Sequence, residues 1–236
     1  MKNKCSLFTL WACIVLPCLS SAETVTFQTL AIKDPIENVS FTSQGKKKTF
    51  TVPAYSLSEP QTYTGGSVLK FYAKDAPDEP DSTKPKAKDE PLAIATLPEN
   101  TARVLILFNK QDDKTYKCIV IPDGIADFPA GALRFFNGMP GNVAVSYNHI
   151  PPLVLQSGEL QLISNQSGNH LTEVAMQTGQ GWQIMFTGFV NALPNGRRNI
   201  FFMPGSLIRV QSADDIVPRP LEVIFVDSAV PPESHP

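Results

Sequence analysis

The chain has 236 residues, of which 42% are hydrophobic and 18% are charged, and its formal net charge is −2. Because this apolar fraction is enough to form a buried core, the composition excludes general disorder. The charge balance also excludes a surface basic enough to attract nucleic acid or anionic lipid.

The N-terminus has the three parts of a cleavable signal peptide, predicted at residues 1–22. Lys2 and Lys4 make a positive n-region, residues 7–16 make an apolar h-region, and small residues lead up to Ala22. We therefore expect cleavage after Ala22 and export to the periplasm or the cell exterior.

An uncleaved N-terminal anchor is the alternative interpretation of this segment. Lipid attachment at Cys18 is disfavoured, because Leu16 and Pro17 stand where small residues would be expected. No later window is apolar over enough residues to cross a bilayer, so we predict no transmembrane segment after cleavage.

The cysteines are distributed unevenly along the chain. Cys5, Cys13 and Cys18 lie within the predicted signal peptide, so only Cys118 remains in the mature chain. One thiol cannot form an internal disulfide. Because Cys118 lies in a strand-like run with no histidine nearby in sequence, we expect a small buried hydrophobic residue; a reactive thiol is the alternative.

The mature chain consists of short segments rich in Val, Ile, Phe, Tyr and Thr, about ten residues apart, with turn residues between them. No window keeps a helical apolar period over three turns, and the 21 prolines would interrupt most helices. This pattern predicts an all-β sandwich or barrel. The predicted strands are Val25–Ile32, Val39–Thr42, Thr49–Val52, Val68–Tyr72, Leu92–Leu97, Val104–Phe108, Tyr116–Ile121, Ala132–Phe136, Val143–Tyr147, Leu153–Leu155, Glu159–Ile163, Thr172–Met176, Trp182–Thr187, Asn199–Met203, Ser206–Val210 and Leu221–Val226.

Residues 74–91, KDAPDEPDSTKPKAKDEP, are charged, rich in proline and nearly free of apolar side chains. Such a segment cannot offset the entropy of ordering by burial, so we predict a mobile charged loop. Calcium binding is the alternative for its carboxylates, but prolines and interleaved lysines interrupt the ligand spacing.

The composition changes near residue 122. Residues 23–122 carry 13 positive and 13 negative side chains, whereas residues 123–236 carry 5 and 9. Together with the turn sequences around Pro122 and Phe128–Gly131, this shift predicts two tandem immunoglobulin-like β-sandwich domains, at residues 23–122 and 130–236.

The two halves also share a pattern that suggests distant repeats. Each begins with an apolar strand, continues with an Asn-x-Val strand at Asn38 or Asn142, and closes with a pair of strands that resembles a hairpin. Because strand patterns recur by chance, the repeat is a hypothesis.

Three blocks carry a resemblance to a group of exported bacterial proteins: Leu97-Pro98, Arg103–Phe108 and, most specifically, Phe128–Asn137. The resemblance covers most of the mature chain and is loose outside these blocks. It implies a tandem β-sandwich in the cell envelope, and it implies no activity.

No catalytic or metal site is predicted, and no cofactor. The three histidines of the mature chain, His149, His170 and His235, are far apart and form no zinc-binding pattern. The chain has no Gly-x-Ser-x-Gly elbow, and the Ser167–His170 string is interpreted as a polar turn. A dispersed hydrolase triad built on His149 or His170 remains the alternative.

Exposed aromatic residues could form a carbohydrate-binding site. Trp182 alternates with Ile184 and Phe186, which predicts a side chain facing the core. Tyr55 and Tyr63 flank polar loop sequence and are the better candidates for exposure. Arg197-Arg198 follows an Asn-Gly turn, so we expect exposed or ion-paired arginines in preference to an anion site.

These observations favour an exported, non-enzymatic binding or structural module of the cell envelope, whose partner is a protein or a glycan. The alternatives are a carbohydrate- or peptide-binding protein and a hydrolase with a dispersed triad. The sequence alone specifies no binding residues.

Overall fold

The computed structural model describes residues 23–73, 90–111, 115–148, 150–164, 168–205, 207–209, 216–218 and 220–230. These residues form strands and turns without a helix, which confirms the all-β class. The predicted signal peptide, residues 74–89 of the charged loop, His149 and His235 lie outside the described residues.

The N-terminal half contains eight strands: β1 (Glu23–Ala31), β2 (Ile36–Ser43), β3 (Lys46–Val52), β4 (Gln61–Gly65), β5 (Val68–Ala73), β6 (Ala93–Thr96), β7 (Arg103–Lys110) and β8 (Tyr116–Pro122). They form one sheet in the order β3-β2-β5-β6-β8-β7-β1-β4. Its alternate residues converge on a single N-terminal core, in which the rings of Phe27, Phe41 and Phe71 meet edge to face. The sheet therefore curls around its own buried face.

The two ends of this curled sheet approach each other. Lys48 Nζ on β3 donates to the carbonyl oxygen of Thr62 on β4 at 3.0 Å, and the backbone N–H of Thr64 donates to Ser43 Oγ at 2.9 Å. At the opposite side, a short parallel ladder between β6 and β8 joins the two groups of four strands. The N-terminal half thus has one continuous sheet where the sequence analysis expected the two sheets of a sandwich.

The C-terminal half contains ten strands: β9 (Leu133–Asn137), β10 (Val143–Tyr147), β11 (Ile150–Leu155), β12 (Leu160–Ile163), β13 (Asn169–Thr178), β14 (Gly181–Asn191), β15 (Gly196–Pro204), β16 (Leu207–Arg209), β17 (Ile216–Pro218) and β18 (Leu221–Ala229). Two four-stranded sheets, β11-β10-β13-β14 and β12-β9-β15-β18, enclose a C-terminal core to which both contribute. Strands β16 and β17 form a separate two-stranded ribbon.

The halves have the same strand order and the same pairing directions. In the N-terminal half the groups are β3-β2-β5-β6 and β8-β7-β1-β4; in the C-terminal half their counterparts are β11-β10-β13-β14 and β18-β15-β9-β12. The first strand of each half pairs parallel to a late strand, as β1 with β7 and β9 with β15, and every other matched pair is antiparallel. This correspondence supports the repeat hypothesis. The halves differ at one place. β6 pairs with β8 in the N-terminal half, whereas their counterparts β14 and β18 form no ladder in the C-terminal half.

A third core lies between the halves. It consists of the outward-facing residues of β1, β7 and β8, including Leu30 and Leu107, packed against outward-facing residues of β9, β15 and β18, including Phe136, Phe201 and Ile224. Since these strands are counterparts of one another, the halves pack through equivalent sheets.

A buried ionic cluster lies next to this middle core, centred on Asp123. The Asp123 carboxylate accepts from Arg134 at 2.8 Å and from Arg197 at 2.9 Å, and lies 3.4 Å from Arg103 Nε. The Phe128 ring lies 4.1 Å from the Arg134 guanidinium and 4.8 Å from that of Arg197. The cluster connects the segment between the halves to β7 of the N-terminal half and to β9 and β15 of the C-terminal half.

Both arginines of the Arg197-Arg198 pair form ion pairs, which was one of the two predicted outcomes, but their surroundings differ. Arg198 forms a two-pronged ion pair with Asp227, at 2.7 and 2.8 Å, as expected for an arginine near a carboxylate. Arg197 is completely buried, because strand alternation turns its side chain to the opposite face and into the Asp123 cluster. Burial lowers the pKa of the Arg197 guanidinium, and the Asp123 charge opposes that shift.

Candidate binding face

The exposed face of the sheet β11-β10-β13-β14 carries several exposed large hydrophobic side chains. A β-bulge in β14 turns part of them outward. Ile184 pairs with Ala175 and Phe186 pairs with Val174, so Met185 is an extra residue on β14. Met185 and Phe186 both pack against the C-terminal core. The bulge therefore shifts the alternation of side chains along β14 by one residue. Trp182 and Ile184 are even-numbered like Phe186, but because they precede the bulge they point to the opposite face of the sheet.

The prediction that Trp182 faces the core is wrong for this reason. Trp182 is 46% exposed and Ile184 is 61% exposed, whereas Phe186 turns inward as the alternation predicts. Side chains alternate between the two faces both before and after Met185, as predicted. The bulge adds one residue between these two segments, so the faces are exchanged from one segment to the next.

We use the name outer face for twelve residues of this exposed side, which lie in four adjacent transverse rows. Its transverse rows follow from the pairing register and strand alternation. They are Asn142–Gln177–Trp182, Val154–Ala144–Ala175–Ile184, Ser146–Glu173–Thr187 and Leu171–Phe189.

Apolar side chains dominate two of the four rows. Val154 and Ile184 flank two alanines, while Leu171 and Phe189 form a direct cross-strand pair. Phe189 is 68% exposed, the largest exposed fraction among the large hydrophobic residues described. Glu173 is the single ionisable residue of the outer face. The row Ser146–Glu173–Thr187 separates the two apolar rows, so the face is nearly uncharged and only partly apolar. Exposed apolar side chains grouped on one face in this way are typical of binding sites.

The row that contains Trp182 combines an indole with carboxamides. Asn142 Nδ2 donates to Gln177 Oε1 at 2.8 Å, and Gln177 is the cross-strand partner of Trp182. These amides retain donors and acceptors at the exposed end of the sheet, next to an aromatic ring.

The two tyrosines that were predicted to be exposed differ. Tyr55 is 44% exposed, as expected. Tyr63 is buried and belongs to the N-terminal core, and its hydroxyl lies 3.3 Å from the carbonyl oxygen of Val68. Alternation along β4 turns Tyr63 inward, because the neighbouring Thr62 and Thr64 occupy the outer side.

A shallow cavity of about 360 Å³ at one end of this sheet is lined in part by Ser146, His170 and Glu173. Ser146 and Glu173 are cross-strand partners on the outer face. His170 lies an odd number of residues from Glu173 on β13, so its side chain points to the other face of the sheet. There its ring contacts the ring of the core residue Tyr147 edge to face, with 5.3 Å between the ring centroids. These residues share a cavity, but strand alternation directs the histidine and the other two to opposite faces of the sheet.

Cys118 packs against the N-terminal core, in agreement with its interpretation as a small hydrophobic residue. Burial raises the pKa of its thiol to about 12, so the thiol stays protonated at neutral pH.

Comparison with known proteins gives this face no precedent: no protein-family model matches the chain, and no curated protein matches it. Within the described ranges, no three His, Cys, Asp or Glu side chains are placed to hold a metal ion. Among the same residues, no helix has both the length and the apolar character needed to cross a bilayer.

Sequence reasoning missed Phe189, Leu171 and Val154 as surface residues. Val154 lies in an apolar run, whereas Leu171 and Phe189 lie just outside the predicted strands Thr172–Met176 and Trp182–Thr187. Only the pairing register shows which face each of them occupies. The Asp123 cluster had a usable signal, since Arg134 interrupts the apolar run from Leu133 to Phe136. A charge in such a run indicates a buried partner elsewhere in the chain.

Proposed function

We propose that this protein is an exported, non-enzymatic binding module of the cell envelope, and that the outer face of its C-terminal half binds a neutral glycan. The observation that carries this proposal is the exposure of Trp182 beside carboxamides on a nearly uncharged sheet face. In this proposal the chain consists of two tandem β domains, the second an immunoglobulin-like sandwich, and it is delivered to the periplasm or the cell exterior by cleavage after Ala22.

The ligand class follows from the chemistry of the outer face. The electron-rich face of an indole attracts the polarised C–H groups on one side of a pyranose ring. Asparagine and glutamine amides both donate and accept, which suits vicinal hydroxyl groups. A charged ligand finds little complement, because Glu173 is the only ionisable side chain on the face. A neutral polysaccharide therefore fits this surface better than an anionic one.

The proposal is tested by affinity electrophoresis of the chain from Glu23 onward in gels that contain neutral polysaccharides. We expect retardation by at least one neutral glycan, and Trp182→Ala should weaken it about tenfold or more, since a stacked tryptophan commonly contributes more than 1 kcal/mol to binding. Tyr55→Ala is the matched control, because Tyr55 has nearly the same exposure but lies off the outer face.

Equal retention of the Trp182→Ala variant and the unchanged chain would refute the site. Binding of unstructured peptides without binding of any glycan would favour the peptide-binding alternative. Shortening of the bound glycan during the experiment would contradict the non-enzymatic assignment.

A further inference from the structure

The outer face has a groove along its middle. In the row Val154–Ala144–Ala175–Ile184, two alanines on the central strands lie between two larger side chains on the flanking strands. Val154 and Ile184 are both exposed, so they project from the sheet, whereas only methyl groups cover the sheet between them. The alanines therefore form the floor of a groove that runs along β10 and β13, which we call the alanine groove.

Polar side chains lie at both ends of the alanine groove. At one end are Trp182 and the hydrogen-bonded amides of Asn142 and Gln177. At the other end, Ser146 and Glu173 are cross-strand partners on the same two strands that carry the alanines. The groove is thus apolar in its middle and offers hydrogen-bonding groups where it begins and ends.

A shallow cavity of about 360 Å³ lies at the Glu173 end of the groove, and its lining includes Ser146, Asn148 and Asn169. A hydroxyl, a carboxylate and two carboxamides together supply both donors and acceptors. At about 30 Å³ for each water molecule, the cavity holds about a dozen waters, which is close to the number of heavy atoms in one hexose. The cavity therefore has room for a single sugar ring.

The two ends of the groove are too far apart for one sugar ring to contact both. Gln177 and Glu173 are separated by about 13 Å along β13, at about 3.3 Å for each residue. Leu171 lies one row further, about 20 Å from Gln177, and its cross-strand partner is the exposed ring of Phe189. A ligand that contacts Trp182 and Phe189 at once is therefore an extended chain of sugars.

We infer that the outer face binds an internal segment of a linear neutral glycan, whose chain lies in the alanine groove. One sugar ring of the chain contacts Trp182, and another lies in the cavity beside Glu173 and Phe189. Branches on the intervening sugars are excluded, because Val154 and Ile184 flank the chain. The inference rests on the glycan-binding proposal, and it adds the length of the ligand, its direction along the strands and a second contact site.

The test is isothermal titration calorimetry of the chain from Glu23 onward with cello-, malto- and laminari-oligosaccharides of two to six sugars. In at least one series, we expect the hexasaccharide to bind about tenfold or more tightly than the disaccharide, because only the longer chain reaches both ends of the groove. Ala175→Leu should remove this difference, because the leucine fills the floor of the groove. The control is Ala73→Leu, which enlarges an exposed alanine on β5, the counterpart of β13.

Glu173→Gln is the second variant, because it keeps the shape of the side chain and leaves the groove open. It should weaken binding of the hexasaccharide about threefold or more and leave binding of the disaccharide unchanged, a difference that loss of folding would not produce. If no neutral glycan binds, the proposed function fails and this inference with it. Retention that depends on Trp182, together with equal affinities for disaccharide and hexasaccharide, would overturn this inference alone. Undiminished hexasaccharide binding by the Ala175→Leu variant would overturn it as well.

Discussion

At the junction of the two halves, the carboxylate of Asp123 is the counter-charge for three arginines. Arg134 and Arg197 are almost completely buried, and their remaining donors reach Asn199, Ser228 and backbone carbonyl oxygens. Burying a guanidinium is costly unless it is paired and hydrogen-bonded, and removal of one partner leaves the charge uncompensated. Asp123 therefore makes the burial of the arginines tolerable.

Replacing Asp123 with Asn should lower the free energy of unfolding by about 3–5 kcal/mol, because the side chain keeps its shape but loses its charge. The shift is read from the midpoint of urea unfolding at an unchanged m-value.

Asp227→Asn is the control, since it removes the partner of Arg198 from a surface pair with a half-exposed carboxylate. We expect a change of about 0–1 kcal/mol there. If both substitutions lowered the free energy of unfolding equally, the burial of the Asp123 ion pairs would not explain their contribution to stability.

Among the elements, β14 determines the character of the candidate site. Its bulge sends Trp182 outward and Phe186 inward, and Gly188 makes room for the Phe186 ring. A Cβ on Gly188 would lie 2.6 Å from the end of that ring. The ring is held between the C-terminal core and Phe225, so it cannot move without losing contacts.

Gly188→Ala should therefore destabilise the protein by about 1–3 kcal/mol, as overpacked substitutions commonly do. Gly179→Ala in the turn before β14 is the matched substitution, because a Cβ there meets nothing within 4 Å. We expect it to change stability by less than about 0.5 kcal/mol. Thermal unfolding of both variants, monitored by circular dichroism, distinguishes them, and an unaffected Gly188→Ala variant would contradict the packing of Phe186.

The elements themselves were largely predictable, because alternation and turn residues are local signals. Strands β10 and β13 include every residue predicted for them, and β13 extends further at both ends. The bulge at Met185 was not predictable, since it depends on which residue of β13 each residue of β14 meets. The burial of Arg197 likewise depends on Asp123, 74 residues away in sequence.

The described residues form three hydrophobic cores, and the middle one belongs to both halves. Phe136, Phe201 and Met203 from the C-terminal half meet Leu30, Leu105 and Leu107 from the N-terminal half. Separation of the halves would expose these side chains and also divide the Asp123 cluster. The outer residues of β7 were visible in the sequence as part of an unbroken apolar run, Val104–Phe108, which is typical of a strand buried on both faces. Polar residues interrupt β1, and Arg134 interrupts β9, so their outer residues were not visible in this way.

We therefore expect the halves to unfold together. Calorimetry of the chain from Glu23 onward should give one transition, with a van't Hoff enthalpy equal to the calorimetric enthalpy. Phe201→Ala should lower the temperature of that single transition, because it removes a large side chain from the shared core. Two separate transitions in the unchanged chain would contradict a shared core.

We propose Trp182 as the contact residue of a glycan-binding face. Trp182 is the only tryptophan after Ala22, so intrinsic fluorescence reports on this site alone. The direct measurement is a titration of the chain from Glu23 onward with the neutral polysaccharide that retards it most in affinity gels. A saturable blue shift of the emission, as the indole leaves water, is the predicted result. Binding of the polysaccharide with unchanged Trp182 emission would contradict the account.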